Sequence, residues 1–574
     1  MKRTGVFIPI QILAVPLCTL ILFLNGCEGL SGPAEINDDN FVDALIDEGV
    51  DEDRDGIISK SEASAIHFLN ISDHDLLFLT DLQVFENLDT LICRNCLLKA
   101  IDVSALPGLL YLDCSENKLA ELEISKNPAL RHLHCSDNKL TELDISNNTG
   151  LSVLSCGMNQ LTSLKVSDHT ALTVLSCYNN QISQLDVSKN LLLENLYCSG
   201  NLLTELDVSN NSLLVSLHCE YNRLTHMDVS NMDSLRSFYF AGEQINEVKA
   251  TNCPVLDYIH CYNTPLEKLD LSDCTGLTYM EIYRNQLTEL NLSGCRSLRE
   301  INCNFNPLNS LDLSECPELT TLSCGETQIR SLDLSDHTQL RELSCGENPQ
   351  LTSLDISNCS QLDKLYVYES SMVTLNVSGC SSMTELVCSD NKITALDISN
   401  CPDLIFLNCQ KNQLKTLNIS DCSKLTRLFC GINQLIRLDV TNCTQLTELS
   451  CLDNYIKSLD LSNSPALYDV DCSDNRLTYL NLTGCEYLKY LRCAGNHLTS
   501  LDISANPGIE FLSCFYNRFT SLDISNNAAI KKLDIGDMPD LYEVCVWTMP
   551  FPPEGIEVDR EGSPNVFFTR NCSN

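Results

Sequence analysis

From about residue 80 to residue 540 the chain repeats itself every 21 residues, and a short period of that kind settles the architecture before composition is consulted. The segment from Leu130 to Gly150 reads LRHLHCSDNKLTELDISNNTG, and Leu151 begins the same pattern again. With the cysteine of L-x-x-L-x-C-x-x-N-x-L as a marker, the position falls at 93 and every 21 residues to 345, then from 367 to 535, which makes 22 repeats. One extra residue within Pro349-Gln350 lengthens a single repeat. A unit this short cannot bury its apolar residues alone. It must stack on its neighbours, so the 574 residues read as one coil and not as several globular domains.

Each repeat has an internal logic. The leucine and cysteine of L-x-C sit two apart, so both point inward from a short strand while their neighbours point outward onto a face expected to be concave. Asn follows the marker by three at 16 of 22 positions, Asn117, Asn138, Asn285 and Asn517 among them, where a buried amide can satisfy backbone groups as the chain leaves the strand. Leu140 and Leu143 continue the core, and Ile145 keeps the inward alternation as the chain returns. Asp follows the second of those leucines in 14 repeats, including Asp144, Asp186, Asp270, Asp397 and Asp502, and is expected to bond local backbone amides and not to collect cations. At about 4.8 Å per stacked strand, 22 turns give a body on the order of 100 Å long. The pattern resembles the leucine-rich-repeat family, which implies a β-rich solenoid, a horseshoe with parallel strands on its concave face.

The chain carries 37 basic against 77 acidic residues, a balance of −40 that repels phosphate backbones, so nucleic acid is not an expected partner. Of its 33 cysteines, eighteen occupy the marker, where Phe240, Ile282, Val367 and Ile535 stand in the other repeats. Ten more form a second column, from Cys253 to Cys485. Columns in register aim side chains the same way, which suits buried free thiols better than disulfides or a metal cluster. Cys545 and Cys572 lie beyond the last marker, near Trp547 and the turn Pro550-Phe551-Pro552-Pro553, and are expected to form one disulfide closing a C-terminal cap. In the eighth repeat Phe240 replaces the marker and Glu243 the Asn, so a local bend is expected there.

Before the repeats lie two further signals. Lys2 and Arg3 precede an apolar run from Val6 to Leu24 that ends Leu24-Asn25-Gly26-Cys27, which resembles a bacterial lipobox. Cleavage there would leave Cys27 as a lipidated N-terminus, the only membrane attachment expected; an uncleaved anchor helix is the alternative. Residues 51–62 match D-x-[DN]-x-[DN]-G-x5-E and resemble an EF-hand loop. That resemblance implies one structural calcium ion held by Asp51, Asp53, Asp55, the Ile57 carbonyl, Ser59 and Glu62, with Gly56 making the sharp turn. A helix is expected over Phe41 to Gly49. A short one follows the loop, because Ile66 to Ile71 already reads as a strand.

The expected organisation is thus a leader at 1–26, a tether at 27–35, an N-terminal cap at 36–79, repeats at 80–540 and a C-terminal cap at 541–574. Outward strand positions are unevenly aromatic: Tyr178, Tyr197, His218, Tyr239, Tyr258, His260, Tyr262, Tyr279 and Tyr283 cluster in repeats five to ten and form the expected ligand site. No catalytic constellation is present in the sequence, so an enzyme is not expected. The whole resembles bacterial leucine-rich-repeat lipoproteins of the cell envelope, at the outer membrane or cell surface, with a periplasm-facing orientation left open. That implies a protein or glycan ligand, with a signalling adaptor or a structural scaffold as the alternative.

Overall fold

The computed structural model describes residues 32–572; the expected leader and Cys27 lie outside the described residues. The repeats stack as one coil whose principal sheet has 24 strands, every pairing parallel. In nearly every turn the middle strand residue is buried and its neighbours are at least partly exposed, as at Leu133 between His132 and His134. The marker cysteine that follows is buried too, as are Leu140, Leu143 and Ile145. Each leucine so buried stabilises the coil by about 2 kcal/mol.

The coil has one more turn at each end than the 22 markers predict. Phe68–Asn70 pairs with Thr90–Ile92, and Glu557–Asp559 pairs with Lys532–Asp534. Neither end turn carries the cysteine marker. Ile71 follows the first of these strands, buried where later turns place the cysteine. A second, discontinuous set of short parallel strands lines another side of the coil, such as His226–Asp228, Glu247–Lys249 and Lys268–Asp270.

Asparagine locks turn to turn. Nδ2 of Asn138 donates to the carbonyls of Cys114 (3.0 Å) and Cys135 (3.2 Å), while its Oδ1 accepts from the Leu119 amide at 2.9 Å. One amide therefore satisfies groups of two turns that would each be costly to leave unpaired. The residue before this Asn has positive φ in nearly every turn, from Glu116 at 57° to Ile432 at 55°. All fourteen aspartates of the return segment accept from the backbone N–H two residues on, at 2.8–3.0 Å, as expected.

The second cysteine column has more chemistry than small hydrophobes require. In the outer repeats the same position holds Asn127, Asn148, Asn190, Asn211, Asn506 and Asn527, whose Nδ2 atoms bridge carbonyls of earlier turns, as Asn127 does to Val103 (2.8 Å) and Leu106 (2.7 Å). In the middle repeats the thiol substitutes: Sγ of Cys253 donates to the Val229 carbonyl at 3.2 Å and Sγ of Cys274 to that of Ala250 at 2.8 Å. All 29 free cysteines among the described residues are buried.

Helix α1 (Asp39–Asp47) and helix α2 (Lys60–Ala65) cover the N-terminal end, placing Phe41, Leu45 and Ile58 in the core and the Phe41 ring 6.1 Å from that of Phe85. At the other end Phe551 contacts Trp547 and Phe568, and Cys545 is joined to Cys572 with Cα atoms 5.6 Å apart.

Candidate ligand face

The outward face of the principal sheet carries one continuous aromatic strip. Parallel pairing sets residues 21 apart side by side, so one aromatic per turn at an outward position becomes a stack. His218 lies between Tyr197 (5.0 Å between centroids) and Tyr239 (4.0 Å, stacked). Tyr239 continues to Tyr258 (5.0 Å) and His260 (5.6 Å), and Tyr258 stacks on Tyr279 at 4.8 Å. A parallel row one step along the chain joins His260 to Tyr262 (5.2 Å) and Tyr262 to Tyr283 (5.6 Å, stacked).

Eight of the nine residues singled out in the sequence thus form one surface. Tyr178 does not join it. It sits one residue past its marker and leans over Gly157, where an added Cβ would meet the ring at 2.4 Å. Conversely, Tyr221 joins the strip although sequence reasoning passed over it: its hydroxyl bonds that of Tyr262, with the rings edge to face. A smaller group, Tyr111 with His132 and His134, lies nearer the N-terminus and was also missed. The signal existed in the spacing, since 111 and 132 are 21 apart.

Two carboxylates are set into the strip. Oε2 of Glu281 accepts from the hydroxyls of Tyr258 (3.4 Å) and Tyr279 (3.5 Å) and lies 3.6 Å from Nε2 of His260. Glu220 accepts from the Ser199 hydroxyl and lies 3.8 Å from Nδ1 of His218. Burial holds the His218 imidazole below its ordinary range, so at neutral pH it stays uncharged beside Glu220. Burial likewise pushes the phenols of Tyr239 and Tyr258 up, and the bond from Tyr221, with burial second, raises Tyr262 to about 12.

Strand pairing passes through the eighth repeat in register. What breaks there is the asparagine ladder, replaced by Glu243 and, one turn on, by Thr264, whose hydroxyl accepts from the Gly242 amide at 3.3 Å. A pocket of about 350 Å³ opens at this break, lined by Tyr221, Arg223, Glu243, Gln244 and Tyr262 among others. It borders the strip.

In the loop between the two helices, carboxylate oxygens of Asp51, Asp53 and Asp55 lie within 4.8 Å of one another. Asp51 is buried and accepts from the amides of Arg54 (2.7 Å) and Gly56 (2.9 Å). Gly56 has a φ of 83°, a value open to glycine at little cost. Glu62 accepts from the amides of Glu52 and Ser59, both at 2.8 Å, and the Ser59 amide bond holds its carboxyl below the ordinary value. Ser59 caps α2. The loop edge at Ile58 is covered by the segment before α1, where the Ala34 amide donates to the Ile58 carbonyl at 2.8 Å.

No protein-family profile matches the chain, and no curated protein matches its sequence. Solved structures do. The functional domain of InlJ from Listeria monocytogenes is 26% identical over 72% of each chain, with a TM-score of 0.41. YopM from Yersinia enterocolitica is 20% identical, covering 88% of this chain and 92% of that one, with a TM-score of 0.51. The HAESA receptor kinase of Arabidopsis, in complex with the peptide hormone IDA and the co-receptor SERK1, is 18% identical over 88% of this chain and 92% of its own, with a TM-score of 0.55. At these identities the likeness speaks to fold, and together with the 21-residue period and the asparagine ladder it makes the architecture that of a leucine-rich-repeat solenoid.

Proposed function

We propose that this protein is an exported, membrane-anchored binding protein of the cell envelope that captures a protein or glycan ligand on the outward face of its principal sheet, and that it is not an enzyme. The observation that carries this reading is the aromatic strip from Tyr197 to Tyr283. Amphipathic rings fixed by stacking offer large contact area at little further cost in conformational entropy. The solenoid of HAESA, seen with a peptide hormone and a co-receptor, supports the use of such a coil as a docking surface. The lipobox-like start supports attachment through Cys27.

Calcium belongs to the same proposal as a structural ion of the N-terminal cap. The donor set fits: Asp51, Asp53 and Asp55 converge, and Ser59, the Ile57 carbonyl and Glu62 belong to the same loop. A bound ion would brace the turn that sets α1 and α2 over the first core layer.

The test is a binding screen of residues 28–574 against glycans and proteins, with and without calcium, repeated on Tyr239→Ala/Tyr262→Ala/Tyr283→Ala. Binding that disappears in the triple variant is expected. Binding indifferent to those tyrosines, or none, turns the reading to an adaptor or a structural scaffold.

A further inference from the structure

Charge is handled differently along the principal sheet. Toward the C-terminus the chain supplies its own cations to its acids and its rings. Arg492 pairs with Asp469 at 2.7 Å and lies over the Phe511 ring at 5.2 Å; Glu510 is held by Lys489 (3.2 Å) and Lys531 (2.6 Å); Lys532 meets Glu557 at 2.9 Å. Arg427 covers the Phe406 ring at 4.2 Å and Lys489 that of Tyr468 at 5.5 Å.

The aromatic strip has no such lysine or arginine ion pair among the described residues, Arg236 in the register of Lys489 included. Its outward strand positions from Val174 to Asn302 hold no lysine or arginine. Arg223 and Arg284, each three residues along the chain from a strip carboxylate, form no ion pair with Glu220 or Glu281 among the described residues; Arg284 sits instead over the Phe305 ring at 4.8 Å. The two glutamates are nonetheless largely covered, with side chains 15% and 24% exposed, and their partners are tyrosine and serine hydroxyls and imidazoles. A carboxylate in such a setting interacts with an incoming cation more strongly than one in open water.

We propose that the strip takes an extended, cationic polypeptide segment, its lysine or arginine heads pairing with Glu220 and Glu281 while their methylene stems lie along the exposed edges of the stacked Tyr239 and Tyr258 rings. This rests on the reading of the strip as the ligand face and names the partner's chemistry. Glu220 lies two residues past the strand Ser216–His218, and Glu281, in register with His218, ends the strand three steps further on, so the two are about 14 Å apart across the sheet and about 7 Å along it, within reach of long basic side chains. An extended chain places residues i and i+4 about 13 Å apart on one side, so basic residues four apart reach both carboxylates. The protein's balance of −40 adds long-range attraction that raises the rate of encounter.

The probe is a twelve-residue peptide of glycine and serine with arginine at every fourth position, titrated against residues 28–574. Comparators are the same peptide with citrulline for arginine and a neutral oligosaccharide of glucose. We expect the citrulline peptide and the oligosaccharide to bind at least about tenfold more weakly than the arginine peptide. Glu220→Gln/Glu281→Gln lowers arginine-peptide affinity by about tenfold or more. The control Glu142→Gln/Glu205→Gln removes the same charge from exposed positions off this face and changes affinity by less than about twofold. Equal loss in the control variant overturns the proposal, because net charge alone then explains binding. Citrulline or oligosaccharide binding that matches the arginine peptide and is lost in Tyr239→Ala/Tyr258→Ala overturns the cationic partner and leaves the ligand face standing. Failure of every probe to bind, or binding indifferent to the tyrosine pair, overturns the proposal; in the second case the strip as ligand face falls with it.

Discussion

Apart from the break in the asparagine ladder at Glu243 and Thr264, the turns from Tyr197 to Tyr283 and the turns from Asp469 to Glu557 are built on one interior pattern and have opposite surfaces. Asn201 and Asn496 make the same bonds: each donates to two cysteine carbonyls at 3.0–3.1 Å and accepts one amide, from Ile182 at 3.0 Å and Leu477 at 2.9 Å. Outward, the first region stacks rings on rings around two carboxylates, while the second spends its lysines and arginines on its own acids and aromatics. The lesson is that the repeat constrains what faces inward and leaves the outward positions free, so function is written where the pattern is silent.

If the interiors are equivalent, a perturbation of the interior must strike both regions alike. The largest is alkaline pH. Burial pushes column thiols up in both regions, Cys261 and Cys493 to about 12 and Cys485 to about 11, while the bond with Cys274 holds Cys253 down. A raised thiol stays protonated in the fold while the unfolded chain ionises above pH 9, so the unfolded state binds fewer protons and stability falls as pH rises from 9 toward 12. Each thiol then withdraws about 1.4 kcal/mol per pH unit, and five of them at pH 10 withdraw about 7 kcal/mol, comparable to the whole stability of many domains. Circular dichroism and hydrogen exchange should report loss of structure in both regions together before pH 11. Protection that persists in one region and vanishes in the other would break the equivalence.

Smaller, and sharper in location, are Asn201→Ala and Asn496→Ala. Each strands a buried amide and carbonyls of two turns, at a cost of about 2–4 kcal/mol. Urea titration should give values for the two within about 1 kcal/mol, whereas a seam-specific cost would mean that the strip contributes to folding as well as to recognition.

The smallest effect separates surface from interior directly. Ile432 and Tyr221 both hold φ at 55°, which costs a residue with a Cβ about 1–2 kcal/mol. Ile432→Gly and Tyr221→Gly should each raise stability by about 1 kcal/mol or slightly less. Only the second should weaken ligand capture, because it removes the hydroxyl partner of Tyr262. Equal binding by both variants would remove Tyr221 from the site.

Most of the fold was legible in the sequence because stacking turns a period into a register. Leu133, Cys135, Leu140, Leu143 and Ile145 are buried as their spacing required, and the return-segment aspartates bond the amides expected of them. The end turns were not legible: Phe68–Asn70 and Glu557–Asp559 complete the sheet without the cysteine that marked the others. Nor was the second column read fully, although Asn127 and Asn148 held the same spacing as Cys253 and pointed to a hydrogen-bonding position. The strip was legible as a list of rings and not as a surface. Whether Tyr178 leans back over Gly157, or Tyr221 reaches across to Tyr262, depends on small side chains one or two turns away, which no single repeat reveals.

The central claim is that ligand binds the strip and not the self-neutralised turns, and a hydrogen-exchange footprint of the full chain with any ligand recovered from the screen tests it most directly. The account predicts new protection confined to about residues 195–285, with the turns from 448 to 534 unchanged. Protection centred on those C-terminal turns, or on the short strands such as Glu247–Lys249, would contradict it.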